Sequence, residues 1–197
     1  NNKYKKGRYY ISVRFITTQL GKEKSINAQI GYGITIPYES EDEIANNGFF
    51  IQGEYVLRVT SWFELKPYIG FISTSSNGKD LNDNLTDEIA TATTLLVGGK
   101  GRVRVPIPYV APYIEIGLGA SIGEFKTLTA FTNINKSGFI YHIPIAFGLE
   151  LRQNNSVDRI HYYISPTLEQ ISGAFAVGIS FFLNSKQKKR PSIRRSF

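Results

Sequence analysis

The 197-residue sequence contains no cysteine, no methionine, one tryptophan and two histidines. Without cysteine the chain forms no disulfide and offers no thiolate to a metal, and two histidines alone do not supply the spacing of a metal site. We therefore expect no metal and no other cofactor. The lack of cysteine does not by itself fix the cellular compartment.

Long apolar runs are also missing. Segments such as FAVGISFFL, at residues 175–183, fall far short of the roughly 18–20 apolar residues that a membrane-spanning helix requires, so a helical membrane protein is excluded. The polar, basic start NNKYKKGRYY shows no signal peptide, and we expect either a mature form or a chain that never carried one. The sequence GGKGR, residues 98–102, lies in a predicted strand and precedes no helix, which argues against a phosphate loop.

The sequence has, instead, a regular alternation of apolar with polar or small residues. In FIYHIPIAFGLELR, residues 139–152, every second residue from Phe139 onward is apolar, while the others include His142, Glu150 and Arg152. Because successive side chains of a strand point to opposite faces, this segment predicts a strand with one apolar face. Seven further segments alternate in the same way, at residues 26–36, 51–59, 63–71, 95–105, 110–122, 159–169 and 175–183.

The composition of the two faces indicates which solvent each one contacts. The polar faces are rich in Gly, Ala and Ser as well as charges, which suits a narrow lumen. The apolar faces extend over about 11 residues, which at about 3.3 Å per residue and a tilt of about 40° matches the height of a bilayer. We therefore expect the apolar faces to contact lipid. A soluble lipocalin-like ligand-binding barrel, with the apolar faces inside, is the alternative.

Aromatic residues near the ends of the predicted strands support the membrane interpretation, because Tyr and Trp collect at membrane interfaces. The residues assigned to such a girdle are Tyr9, Tyr10, Tyr38, Phe49, Phe50, Trp62, Phe63, Phe125, Phe139, Tyr141, Phe181 and Phe182. Strands cross hydrocarbon only as a closed barrel, since every backbone polar group needs a partner there.

Residues 26–183 resemble the small outer-membrane β-barrels of Gram-negative bacteria, of the eight-stranded OmpA-like and OmpX-like type. The resemblance is carried by the hairpins GEYVLRVTSWFELKPYIGF and YVAPYIEIGLGASIG and by the final strand AVGISFFL. It implies an all-β, antiparallel, up-and-down transmembrane barrel in the bacterial outer membrane. It also implies short periplasmic turns, a periplasmic C-terminus, and long external loops at residues 38–48, 73–90 and 126–137.

The chain ends raise the question of strand number. Residues 7–17, GRYYISVRFIT, also alternate, whereas single-chain bacterial barrels have an even number of strands. We expect eight strands, with residues 1–25 as an N-terminal periplasmic or lumenal segment, and ten strands as the alternative. Residues 184–197 are a predicted basic periplasmic tail, either solvated or in contact with a partner or anionic lipid. The candidate contact residues are Lys186, Lys188, Lys189, Arg190, Arg194 and Arg195.

The predicted inward faces carry charges of both signs, which we expect to form ion pairs that offset their desolvation. These residues are Glu54, Arg58, Glu64, Lys66, Lys100, Arg102, Arg104, Glu115, Glu150 and Arg152. A barrel of about eight strands has room for side chains but not for an aqueous channel, so we expect a structural lattice. A narrow gated pore is the alternative.

The candidate catalytic residues are His161, Ser165 and Glu169, which are spaced by four on one predicted strand. Lipid A deacylases of the PagL type place a His and a Ser on a late strand, but two residues apart and toward lipid. A spacing of four separates side chains by about 13 Å, beyond hydrogen-bond reach. We expect His142 to be a hydrogen-bonded filler of the lumen.

The predicted function is therefore that of a non-enzymatic outer-membrane barrel, acting as a structural or accessory subunit of an outer-membrane assembly or as a surface-loop binding module. A lipid A-modifying enzyme is the alternative. The expected partners are outer-membrane lipid and other outer-membrane or periplasmic proteins. Nucleic acid is not expected, because the basic tail contains only Phe197 as a stacking residue.

Overall fold

A computed structural model describes residues 24–105, 107, 110–151 and 156–183. These residues form eight strands: β1 (Lys24–Pro37), β2 (Asn46–Arg58), β3 (Phe63–Ser75), β4 (Ile89–Arg104), β5 (Val110–Leu128), β6 (Asn133–Leu151), β7 (Ser156–Ser165) and β8 (Gln170–Leu183). Each strand pairs with the next in antiparallel fashion, and β8 pairs with β1. The predicted all-β, up-and-down barrel of eight strands is confirmed. The described part of the chain contains no helix long and apolar enough to cross a membrane.

The ends of the barrel differ slightly from the predicted boundaries. β1 begins at Lys24, two residues earlier than expected, and β8 ends at Leu183, as expected. The alternating segment at residues 7–17 and the basic tail at residues 184–197 lie outside the described residues. Their predicted roles stay predictions.

Closure of the sheet requires the strands to tilt. The pairing leads from Lys24 through Leu57, Leu65, Gly101, Ile116, Ile145, Tyr162 and Gly173, and it returns to β1 at Ile34. This stagger of ten residues along β1 sets the strands oblique to the barrel axis. An eight-stranded barrel of this kind has an interior just wide enough for side chains.

The faces of the strands are divided as the alternation predicts. On β3 the side chains of Glu64, Lys66 and Tyr68 are buried in the lumen. Lys66 is 0 % exposed, whereas the outward Leu118 of β5 is 74 % exposed. Large apolar residues cover the outside of all eight strands, which is the reverse of a soluble barrel and fits contact with hydrocarbon.

The aromatic girdle was predicted wrongly at two positions. Phe50 and Phe125 are buried in the lumen, because each shares the inward face of its strand with polar lumenal residues. Trp62 is exposed on the outside, as expected. Tyr9 and Tyr10 lie outside the described residues.

The long loop predicted at residues 126–137 is mostly strand. β5 continues to Leu128 and β6 begins at Asn133, so the connection is only residues 129–132. The prediction failed because this part of the hairpin carries polar residues on its outward face and shows no apolar alternation. The connections at this end, called outer loops L1 to L4 below, are residues 38–45, 76–88, 129–132 and 166–169.

Candidate functional site

The lumen is filled by charged side chains near the end with the short turns, called the charged cluster below. Its described members are Glu54, Arg58, Glu64, Lys66, Lys100, Arg102, Arg104, Glu115, Glu150 and Arg159. The strands place them there because each lies on the inward face in the half of its strand nearest the short turns. The cluster therefore crosses the barrel as one layer.

Two carboxylates form the centre of this cluster. Glu54 lies 2.5 Å from the Lys66 Nζ and 2.6 Å from the Lys100 Nζ, and it also pairs with Arg159. Glu115 lies 2.8 Å from the Lys66 Nζ and 3.0 Å from the Lys100 Nζ. Each lysine therefore bridges both carboxylates, and this pairing offsets the cost of removing the charges from water.

A second group of pairs lies closer to the mouth of the lumen. The Arg58 Nε donates to Glu64 at 3.0 Å. Glu150 accepts from the Arg102 Nη1 at 3.0 Å and from the Arg104 Nη1 at 3.1 Å. The side chains of Arg58 and Glu150 are 15 % and 18 % exposed, so water reaches this end of the cluster.

Sequence reasoning identified most of this cluster. The structure brings together every predicted lumenal residue except Arg152, which lies outside the described residues. Arg159 was missed, although it pairs with Glu54 at the centre. The signal was present, because Arg159 is the first residue of the predicted segment RIHYYISPTLE and lies two residues before the inward His161, so that the two share one face of β7.

A layer of histidine and tyrosine lies next to the charged cluster. The ring of His142 bonds to the Tyr68 Oη at 2.5 Å and to the Ser121 Oγ at 2.7 Å. The Tyr163 Oη donates to the Gln52 Oε1 at 2.5 Å. Both ring nitrogens of His142 are thus occupied, which is the arrangement expected of a filler.

The catalytic candidate does not assemble. His161 and Ser165 are buried on the inward face of β7, and His161 bonds to the Gln29 Oε1 at 2.8 Å. Glu169 was wrongly placed on the same strand: β7 ends at Ser165, and Glu169 lies in L4 with a φ of 50°. The strand stops there because Pro166 has no N–H to continue the ladder. Among the described residues no group of three or more His, Cys, Asp or Glu could hold a metal ion.

The β5–β6 hairpin projects beyond the apolar wall at the other end. Ile122 and Phe139 are paired and both are exposed, and the next outward pair is Glu124 with Ser137. Within the described chain β6 pairs with β7 only from Ile143 onward. The stretch Asn133–His142 therefore pairs with β5 alone and presents a free strand edge.

Hydrogen bonds join the outer loops to one another. Glu88 of L2 accepts the backbone N–H of Asp42 at 3.1 Å and that of Ala130 at 2.8 Å, and so links L1 to L3. Thr132 of L3 donates to the Glu169 carboxylate of L4 at 2.5 Å. These bonds hold L3, the tip of the hairpin, against the other outer loops.

Comparison with known structures identifies the architecture. Neisserial surface protein A superposes with a TM-score of 0.52 at 12 % identity, over 80 % of this chain and 95 % of that one. The fold is that of an eight-stranded outer-membrane barrel. This agrees with the predicted outer-membrane location.

Two other solved barrels match with lower scores. The N-terminal barrel domain of Pseudomonas aeruginosa OprF gives a TM-score of 0.49 at 11 % identity, covering 82 % of this chain and 99 % of that one. Ail of Yersinia pestis, solved in complex with the heparin analogue sucrose octasulfate, gives 0.46 at 17 % identity, covering 82 % and 98 %. No family model and no curated protein sequence matches the chain.

Proposed function

We propose that the protein is a non-catalytic barrel of the bacterial outer membrane that serves as an accessory component of a surface assembly. The partner contacts the free edge of β6 on the projecting hairpin. The observation that carries this proposal is the stretch Asn133–His142, which pairs with β5 on one side and with no described strand on the other.

A free strand edge is a surface that attracts another chain, because its unpaired N–H and C=O groups are a template for a further strand. Most native edges are protected by charges, bulges or covering segments. Near the free edge the Lys136 Nζ donates a hydrogen bond to the Thr167 carbonyl at 2.9 Å, which joins this part of β6 to L4. The loop contacts of L3 and L4 hold the edge in an extended form, which lowers the entropy lost when a partner strand binds.

The opposite edge of the same projecting sheet is protected, and it serves as an internal comparison. β4 pairs with β3 only as far as Thr93 with Ser73. Beyond that point the Ala92 N–H donates to the Thr74 Oγ1 at 3.0 Å, and the Asn46 Nδ2 donates to the Ala90 carbonyl at 3.0 Å. Side chains therefore satisfy this edge, whereas the β6 edge is open.

Site-specific photocrosslinking in intact cells tests the proposal. A crosslinking residue at Asn135, on the open edge, is expected to form one discrete adduct with a protein that also co-purifies in mild detergent. The same residue at Thr91, on the protected edge, is expected to form none. Equal adducts at both positions, or a clean monomer with neither, would contradict the proposed role.

The lumen supports a structural rather than a conducting role. The central carboxylates and lysines of the charged cluster are fully buried, so no water-filled path crosses them among the described residues. In planar bilayers we expect no stepwise conductance from the purified full-length chain. Channel openings that depend on Glu54 would instead support the narrow gated pore.

Lipid A modification is the catalytic alternative, and it has a direct test. Because His161 bonds to Gln29 and Glu169 lies outside β7, we expect no cleavage of lipid A acyl chains by the purified protein. Cleavage that is lost in Ser165→Ala would overturn the non-catalytic assignment.

A further inference from the structure

We propose that the outer wall of the barrel binds one phospholipid with an ammonium headgroup, in a groove around Asp158 of β7. The groove lies in the half of the barrel nearest the short turns, whereas the free edge of β6 lies at the opposite end, so the two sites are independent. The proposal rests on a cavity in the wall, on the position of one acidic residue within it, and on the lipid leaflet that this part of the wall faces.

The cavity is an apolar groove with a volume of about 650 Å³. Its lining includes Pro112, Phe147, Leu149, Ile160, Phe175 and Val177. These residues lie on the outward faces of β5, β6, β7 and β8 and are all exposed, so the groove opens toward hydrocarbon. The other lining residues are their immediate neighbours along the strands, as expected where the strand backbone forms the floor of a groove.

The register of the sheet places Asp158 in the middle of this groove. The Asp158 position pairs with Leu149 of β6 and with Val177 of β8, which are 46 % and 58 % exposed on the outer wall. Because residues directly opposite each other in a sheet share a face, position 158 belongs to the outward face of β7. The next outward positions along β7 are Ser156 and Ile160. None of these four neighbouring positions in the described strands carries a charge.

An acidic residue in an apolar wall favours a cationic ligand. Ionisable residues at membrane depth are rare and costly, and they pair with other charged or polar groups. Hydrocarbon does not solvate a carboxylate, and the adjacent outward positions supply no countercharge. An ammonium group at Asp158 would form charge-assisted hydrogen bonds with its carboxylate and offset the cost of its desolvation.

A phospholipid supplies this cation together with a chain that fits the groove. The short turns of such barrels lie on the periplasmic side, so the groove faces the inner, phospholipid leaflet. From Asp158 the groove continues past Ile160 and Phe175, away from the short turns and toward the bilayer centre, which is the direction of an acyl chain. On the other side of Asp158 the outward residue is the polar Ser156, where a headgroup would lie.

A second copy of the chain fits this groove less well. Two-fold pairing of the same surface patch would place two Asp158 residues close together. Like charges repel strongly in a medium of low dielectric constant. The ammonium-bearing lipid has the opposite charge and is therefore the occupant that we propose.

Native mass spectrometry of the full-length chain, released from detergent micelles after incubation with lipid, tests the proposal. The probes are phosphatidylethanolamine and phosphatidylglycerol with identical acyl chains, since only the first carries a cation. We expect one phosphatidylethanolamine per chain and about tenfold less retention of phosphatidylglycerol. Asp158→Asn should weaken the retention of phosphatidylethanolamine about tenfold, because it loses a hydrogen bond between charged groups.

Glu124→Gln is the matched control. It makes the same change from carboxylate to amide at an exposed outward position, but beyond the apolar wall. This variant should retain phosphatidylethanolamine as the unmodified chain does.

Urea titration in vesicles of phosphatidylglycerol, with and without added phosphatidylethanolamine, provides a second measurement. Without phosphatidylethanolamine, Asp158→Asn should be at least as stable as the unmodified chain, because it removes a charge from the apolar wall. Added phosphatidylethanolamine should stabilise the unmodified chain more than the variant, since a ligand stabilises the state that binds it.

Four outcomes would overturn the proposal. They are equal retention of the two lipids, equal retention of phosphatidylethanolamine by Asp158→Asn and Glu124→Gln, lower stability of Asp158→Asn without phosphatidylethanolamine, and the loss of a bound protein instead of a lipid in Asp158→Asn. The third would show that Asp158 pairs within the chain, and the fourth that the groove holds a protein. None of them affects the edge of β6 or its crosslinking test.

Discussion

Glu54 has more cationic partners than a single ion pair requires. Lys66, Lys100 and Arg159 all pair with it, and the Gln52 amide donates to it at 2.8 Å. A buried ion pair contributes little net stability compared with well-packed apolar groups, but removing one partner leaves the others charged and unpaired. The position is therefore sensitive to change, whatever the net contribution of the cluster.

We expect Glu54→Ala to lower the free energy of unfolding by about 3–5 kcal/mol, because three cations lose their shared carboxylate. Urea titration of the protein in lipid vesicles, followed by electrophoretic mobility, measures this. Glu124→Ala is the control, since Glu124 is exposed on the projecting hairpin, and it should change stability by less than about 0.5 kcal/mol. Equal effects of the two substitutions would contradict the role given to Glu54.

Gly119, next to the layer of histidine and tyrosine, lies too close to neighbouring side chains to carry a Cβ. A Cβ at Gly119 would collide with the Tyr68 Oη and the His142 Nε2, whereas a Cβ at Gly99, on the neighbouring strand, meets nothing within 4 Å. Gly119→Ala should therefore destabilise the barrel by about 1–3 kcal/mol through overpacking. Gly99→Ala should leave it unchanged or more stable in the same urea titration. A neutral result at Gly119 would show that the Tyr68–His142 contact is not fixed.

For single residues, the sequence predicts which face of the strand a side chain lies on but not which side chain it contacts. The alternation of side chains along a strand places Lys66 and Lys100 in the lumen, and the same alternation, counted back two residues from His161, places Arg159 there too. Parity also contradicts the girdle assignment of Phe50, which was based on clustering alone. Which carboxylate each lysine meets depends on the register between strands, and a single sequence does not contain that information.

At the scale of elements, apolar alternation predicts the strands well wherever one face contacts lipid. It fails where a strand continues into water. Beyond Ile122 and Phe139 the hairpin has polar residues outside, so its pattern resembles a loop although its backbone is strand. The hairpin on which we propose the partner contact is therefore the part of the fold that the sequence pattern describes least well.

The contacts of L2 with L1 and L3 depend on one ionised carboxylate, that of Glu88. Burial raises the pKa of the Glu88 carboxyl, but the backbone N–H groups of Ala130, Asp42 and Glu41 lower it by more, and the pKa lies below its ordinary value. A depressed pKa means that the charged form favours the joined loops. This contribution is present above the ordinary pKa and is lost as the pH falls through the lowered one.

We expect amide hydrogen exchange at Asp42 and Ala130 to be slow at neutral pH and to accelerate relative to the intrinsic rate only when the pH falls below the ordinary range of a glutamate, where Glu88 gains a proton. Glu88→Gln should show fast exchange at both amides already at neutral pH. Asp87→Asn is the neighbouring control, since Asp87 is exposed, and it should exchange as the unmodified protein does. Unchanged protection in Glu88→Gln would show that other contacts join the loops.

For the whole molecule, closure depends on pairing between the first and last strands. Ala28 of β1 pairs with Ile179 of β8, and that contact spans almost the entire described chain. The charged cluster likewise joins β2, β3, β4, β5, β6 and β7 across the lumen. Strand number and approximate strand position follow from the sequence, whereas the stagger and the ion pairs exist only after closure.

Closure also leaves the apolar residues outside, so the barrel is stable only in hydrocarbon. A charged residue on the outer face should therefore lower its stability. Leu118 lies on the outward face of β5, and Leu118→Arg should lower stability in vesicles by about 2–4 kcal/mol, the cost of a cation near the middle of the bilayer. Leu85→Arg is the control, because Leu85 is 88 % exposed in L2, where water already surrounds it. Urea titration in vesicles compares the two variants. If Leu118→Arg were as stable as Leu85→Arg, and remained monomeric without detergent, the outer wall would face water and the transmembrane assignment would be wrong.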